Sequence, residues 1–288
     1  MAHVIPDTID FAAYERQTDT SVKVRKASAF REELRREFTH RDGKAAVEAP
    51  TMTSTKLADR IHFRPGEVTV WAGYNGHRKS MFVGQAVLDL CQQGQRTLVA
   101  SMEMLPQATL GRMARQAAGT RWPDHRWLDA FERWSDNRLW LFDHMGRITP
   151  SQMIAVCRYF ADELKGRHVV IDSLMMVCAS EEHLDEQKQF TTDVCRLAQE
   201  TGMHVHLVAH CRKPQSGDER PPTKYDIRGS AAISDQASNI ITVWKNGTKA
   251  TALEKNPLDT KAQEEPDALV SVEKQRAGEW EGKAKLWF

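Results

Sequence analysis

The chain has 288 residues, 27% charged and 41% hydrophobic, with a formal net charge of +1 at pH 7. That length can bury a sizeable core, as one large domain or one domain with an appendage, and no stretch approaches the roughly 18 apolar residues needed to span a bilayer. The near-zero total argues neither for nor against a nucleic-acid partner, because a local basic groove fits within a neutral sum.

Five cysteines (Cys91, Cys157, Cys178, Cys195 and Cys211) form no C-x-x-C pair, and their odd number suits a reducing compartment. The N-terminus carries Asp7, Asp10 and Glu15 without a continuous apolar stretch, so it does not read as a signal peptide and a cytoplasmic location is expected. Residues 1 to about 55 read as an arm. Within it, Val24 to Phe38 reads as a charged helix with Phe30, Leu34 and Phe38 on one stripe at four-residue spacing. Such a stripe needs cover, from its own body or from a neighbouring subunit. DGKAAVEAPTMTST then reads as a linker to a body spanning residues 56–288.

From Arg64 onward strands and helices alternate. EVTVWAG reads as a strand, KSMFVGQAVLDLCQQG as a helix closed by Gly94, and RTLVASMEM as a second strand. LPQATLGRMARQAAG is helical, a Trp-rich helical segment follows, and NRLWLFDH is a third strand. TPSQMIAVCRYFADELKG is a helix, RHVVIDSLMMV a fourth strand, QKQFTTDVCRLAQETG a helix and MHVHLVAHC a fifth strand. SNIITVWKN, ALVSVEKQR and AKLWF read as shorter strands that continue the sheet as hairpins. The repetition, with strands rich in Val, Ile and Leu, predicts an α/β fold: a mostly parallel sheet with helices on both faces.

The chemistry begins at GYNGHRKS, Gly73 to Ser80, directly after the first strand. It matches the phosphate-binding loop G-x-x-x-x-G-K-[ST] except that Arg78 stands at the second glycine. In open α/β sheets ligands bind beyond the carboxyl ends of the strands, and a helix N-terminus favours phosphate there. Gly73, Asn75, Gly76, His77, Arg78, Lys79, Ser80 and Met81 are therefore candidate ATP contacts, with Lys79 reaching the outer phosphates and Ser80 ligating Mg²⁺. Asp172, ending an apolar strand, sits where the second Mg²⁺ group belongs, although an Asp there is commonly a turn cap. Glu103 ends another strand as candidate base for water, against the plainer reading of an exposed loop glutamate. His210 closes the fifth strand, where a neutral donor can sense the γ-phosphate. His204, His206 and His210 share strand parity, but no acid or cysteine completes a metal set. Trp122, Trp127 and Trp134 could stack bases; their helical segment favours packing.

SMEM, HVVIDSL, HLVAHCRKP, DIRGSAAISDQASNIITVWKN and VEKQRAGEW occur in the order found in DnaB-type hexameric replicative helicases. Residues 60–288 resemble that family most in the helicase half of phage primase-helicases and mitochondrial Twinkle. The resemblance implies a RecA-like core, a ring that binds ATP and Mg²⁺ between subunits, and movement along single-stranded DNA. It implies Lys79, Ser80 and Asp172 at the nucleotide and metal, Glu103 as base, His210 as sensor, and Arg276 as an arginine finger for the neighbour's ATP with Lys274 its companion. Two residues apart on one strand, Lys274 and Arg276 share a face; a solvated edge strand is the plainer alternative.

The long segment CRKPQSGDERPPTKYDIRGS is rich in Pro and Gly, and loops of this length are usually functional or disordered. In the family such loops hold the DNA backbone, which points here to Arg212, Lys213, Arg228, and the amides of Gly229 and Ser230. No zinc finger or primase module precedes the core, so priming is expected from a separate primase, and a polymerase is a further candidate partner. The reading is an ATP-dependent replicative helicase. The alternatives are a catalytically weak or inactive RecA-like ring serving as a structural or loading factor, which Arg78 favours, and a RecA-like ATPase of recombination or plasmid replication.

Overall fold

Runs of Val, Ile and Leu form strands buried on both sides. In the computed structural model, which describes residues 26–32, 40–41, 44–45, 49–53, 56–178, 183–212, 220–278 and 280–287, they build one eight-stranded sheet. The strands are β1 (Val68–Gly73), β2 (Thr97–Ser101), β3 (Leu139–Leu141), β4 (His168–Asp172), β5 (His204–His210), β6 (Asn239–Lys245), β7 (Ala268–Gln275) and β8 (Gly282–Leu286). Their order is β8-β7-β6-β1-β5-β4-β2-β3, parallel from β6 to β3, with β7 and β8 added antiparallel at one edge.

The helices are α1 (Lys79–Gln92), α2 (Pro106–Ala118), α3 (His125–Ser135), α4 (Pro150–Asp162), α5 (Leu174–Val177), α6 (Leu184–Thr201), α7 (Ala231–Gln236), α8 (Gly247–Lys255) and α9 (Thr260–Glu264). Alternation along β1 divides the core. Val68, Val70 and Ala72 pack with Phe160 of α4 and Phe190, Val194 and Leu197 of α6. Trp71 packs on the other face with Phe82, Val83, Ala86 and Leu90 of α1 and Met113 of α2. Local signals set the helix ends: Thr149 and Gln152 form a reciprocal capping box before Pro150, and Gly202 closes α6 at φ +69°. This is the mostly parallel sheet with helices on both faces that the β-α repetition predicts, and the RecA-like core that the resemblance implies.

Three segments differ from expectation. The fourth strand stops at Asp172 instead of running through Val177. The Ser173 hydroxyl turns to Glu103, and Leu174 and Val177, three apart, bury one side of a single helical turn. Residues 231–236, unassigned from sequence, form α7 behind its Ser230 cap. The β6–β7 connection contains α8 and α9, started by Asn246 and Asp259 accepting from the amides of Lys249 and Ala262. Of the charged helix expected over Val24 to Phe38, Ala27–Phe30 form a 3₁₀ turn leading into helical Arg31 and Glu32; Leu34 and Phe38 lie outside the described residues. The arm contains a short antiparallel pairing of His40–Arg41 with Lys44–Ala45. Met52 is already buried in the body's core.

Candidate active site

β1 ends at Gly73 because no larger residue fits. A Cβ there would lie 2.4 Å from the Val243 carbonyl oxygen of β6 and 3.2 Å from Lys79 Cγ. Gly76 turns the loop at φ +79°. Arg78 then takes the left-handed conformation itself (φ +63°, ψ 24°), with its carbonyl accepting from the Met81 and Phe82 amides at 3.1 Å. An L-residue in this conformation costs roughly 1–2 kcal/mol. The Arg78 side chain is exposed, as are Asn75 and Gly76. His77 braces the loop: its Nδ1 accepts from the Lys245 amide at 3.1 Å, and its ring sits edge-on to Tyr74 at 5.2 Å. Lys79 is buried, its Nζ donating to the Gly73 and Tyr74 carbonyls at 3.0 Å each.

Sheet order brings the remaining groups beside this loop. His210 pairs in register with Gly73, and Ser101 with Asp172, so the carboxyl ends of β1, β5, β4 and β2 lie side by side. The Ser80 hydroxyl lies close enough to the Asp172 carboxylate to favour its charged form. Ser173 Oγ donates to Glu103 Oε1 at 2.8 Å, and His210 Nε2 lies 4.0 Å from the same oxygen. Glu103 is 48% exposed, which leaves its carboxylate accessible to water.

Burial lowers the pKa of Lys79, opposed by Cys211, Asp172 and Glu103. Burial raises that of Asp172, opposed by the Ser80 hydrogen bond and the cations Arg112 and Lys79, while the Glu103 charge adds to the rise. Arg112 is a member of this set that the sequence reading missed. Its Nη1 points at Met104 Sδ (3.3 Å), its nearest opposing charge is Asp172, and its buried Nε has no hydrogen-bond partner among the described residues. The available signal was its place on the inward side of α2, three residues after buried Thr109 and one before buried Met113.

Lys274 and Arg276 lie at the other end of the sheet. Gln275 pairs with Asn239 at the start of β6, and the Arg276 amide donates to the Ser238 carbonyl at 3.0 Å. A bulge in β7 opposite Ile240 and Ile241 leaves both cations aimed at α7: Lys274 Nζ donates to the Ser234 and Asp235 carbonyls at 2.8 and 3.0 Å, Arg276 Nη2 to Asp235 at 2.7 Å. Neither therefore shares its own chain's phosphate loop.

The segment after β5 is closed at its base. Cys211 bridges Ile227, the Arg212 amide donates to the Asp226 carbonyl and the Arg228 amide to the His210 carbonyl, each at 2.8 Å. This sets Arg212 opposite Asp226 and Arg228 opposite His210; Lys213 lies outside the described residues. Gly229 has φ +103°, and a Cβ there would sit 2.0 Å from Gln187 Oε1. The Ser230 amide, read as a phosphate donor, instead donates to that same oxygen at 3.0 Å, and its hydroxyl caps α7.

The remaining histidines and tryptophans separate from the site. His204 and His206 join His168 in a buried cluster beneath Phe63 and Trp71. Trp127 and Trp134 flank Phe131 and line a groove of about 360 Å³ with Leu88, while Trp122 is 82% exposed.

Residues 33–216 match the family model described as an AAA domain. Two solved structures share the fold. One, an isolated ATPase domain, aligns at 17% identity and TM-score 0.60 over 78% of this chain and 82% of that one. The other, a DnaB-like replicative helicase described with its interactions with primase, aligns at 16% identity and TM-score 0.62 over 78% of this chain, which spans 56% of that one.

Proposed function

Because the chain belongs to the AAA domain family and has the RecA-like fold of those two structures, we propose that it is an ATP-driven replicative DNA helicase moving on single-stranded DNA as a ring. The observation that carries this reading is the convergence of Lys79, Ser80, Glu103, Asp172 and His210 on four adjacent strand ends. A buried cation beside a hydroxyl–carboxylate pair is a donor set that fits a triphosphate and a hard divalent cation. Ser80 and Asp172 would hold Mg²⁺, which supplies neutralising charge to the phosphates.

Lys79 leaves the loop carbonyls to meet the outer phosphates. Glu103, accessible and oriented by Ser173, accepts the proton of the attacking water. His210 stands between that carboxylate and the base of the Arg212–Arg228 segment, so it can report nucleotide state to the strand. Arg112 offsets the charge of Asp172. Lys274 and Arg276, at the far end of the sheet, meet a triphosphate only on a second copy, which is the argument for a ring. The ring's subunit number, proposed as six, and a separate primase or polymerase partner come from the family resemblance.

ATP hydrolysis measured with and without single-stranded DNA tests the reading, together with unwinding of a forked duplex. Stimulated turnover with unwinding is expected. Turnover without unwinding would favour a recombination-type ATPase. Strand binding without turnover would favour the inactive ring that Arg78 raises.

A further inference from the structure

Tyr225 is 85% exposed, the most exposed of the large hydrophobic side chains among the described residues. It sits in the middle of a single 3₁₀ turn, Lys224–Asp226, between Arg212 and Arg228. An exposed tyrosine on a mobile loop would mean little, but this turn is fixed from several directions. Thr223 and Asp226 cap it reciprocally, with the Thr223 amide donating to Asp226 Oδ2 at 2.7 Å. Arg220 grips both oxygens of Asp226 at 2.6 and 2.8 Å, a bidentate ion pair. The Arg212 amide holds the Asp226 carbonyl, and Ser234 of α7 donates to the Lys224 carbonyl at 3.3 Å. The aromatic ring is therefore displayed by backbone and ion-pair geometry, at little further cost in ordering when something binds.

Its surroundings select the kind of partner. Lys224 Nζ lies 5.5 Å from the ring centroid, and Arg212, whose amide holds the turn, is exposed. The one acid in the turn, Asp226, is neutralised by Arg220. Exposed cations around an accessible π-face match a polyanion that also offers flat faces, which is a single-stranded nucleic acid. An apolar protein partner would be poorly served by that charge. We propose that Tyr225 is a base-stacking platform, holding one base of the bound single strand while the neighbouring cations hold its phosphates. The inference rests on the single-strand reading above and adds a contact to the base rather than to the backbone. Stacking is indifferent to which base is presented, so the contact suits a protein that moves along a strand.

The experiment compares the full chain with Tyr225→Ala and Tyr225→Phe, using a fluorescent oligothymidine and the same oligonucleotide with abasic residues. Leu258→Ala, an equally exposed apolar residue elsewhere, serves as control. The starting protein should bind the base-bearing strand about ten-fold more tightly than the abasic one. Tyr225→Ala should bind both alike, at the abasic level; Tyr225→Phe and the control should keep the preference. The salt dependence should stay the same across the set, because no phosphate contact is removed. If the starting protein binds neither strand, the single-strand reading itself fails. If it binds and Tyr225→Ala retains the base preference, the platform is wrong and the reading survives. A change in oligomer size without a change in strand affinity would overturn the platform by assigning Tyr225 to contact between copies.

Discussion

At Arg78 the loop has lost a glycine but kept its left-handed backbone, so the substitution strains the loop without refolding it. Its exposed guanidinium can grip phosphate oxygens, which works against the loss. Arg78→Gly should relieve the strain, stabilising the protein by about 1 kcal/mol in denaturant titration. It should also tighten nucleotide binding or speed turnover from a level already measurable in the starting protein. Nucleotide binding that appears only in the variant would instead make the present loop a blocked one. Glu103→Gln should keep nucleotide affinity and lose about 10²–10⁴-fold in hydrolysis; near-normal turnover would remove Glu103 from the mechanism. Arg78 was legible from the phosphate-loop spacing after an apolar strand, and Glu103 from its place just past the end of another. Arg112 was not, since its meaning depends on where α2 lands relative to Asp172. The Ser230 amide was misjudged for a similar reason: its acceptor, Gln187, is 43 residues away in sequence.

Between elements, the sheet carries a histidine cluster whose protonation can be worked out. Trp71 Nε1 donates to His206 Nδ1 at 3.2 Å, so His206 carries its proton on Nε2 and gives it to His168 Nδ1 at 3.3 Å. His204 Nδ1 meets the Arg64 carbonyl at 2.7 Å and its Nε2 meets Thr69 Oγ1 at 2.8 Å. All three rings are held neutral. Burial first, then neighbouring positive charge from Arg64, Arg167 and the other rings, lowers their pKa values, His204 to about 4 and the other two well below the ordinary range. At about pH 7.5 and above the histidines are almost wholly neutral in both folded and unfolded chains and contribute little pH dependence. As pH falls below it, the unfolded chain takes up protons that the folded one refuses, and stability drops. The protein should therefore show a lower urea midpoint at pH 5.5 than at pH 7.5. A flat profile across that window would contradict the neutral cluster. Strand parity showed that His204 and His206 share a face, but their partners His168 and Trp71 come from other strands. Local periodicity gave the β-α order; α8 and α9 were missed because they are short and carry weak apolar stripes, marked only by their caps.

For the whole molecule, the proposed site is divided between two ends of the sheet. The phosphate loop, Glu103 and Asp172 lie at the carboxyl ends of the parallel strands, while Lys274 and Arg276 lie at the opposite end against α7. A single chain cannot close that distance, so the account requires assembly. Deleting residues 1–48, which spares Met52 in the body's core, should weaken the assembly in sedimentation; an unchanged oligomer would assign the arm to its own body. The most direct measurement mixes Lys79→Ala with Arg276→Ala chains and follows ATP hydrolysis on single-stranded DNA. Each variant alone should be nearly inactive. Mixtures should regain turnover, because some interfaces join an intact loop from one chain to an intact arginine from the other. Turnover that stays at the level of the separate variants at every mixing ratio would contradict a shared site.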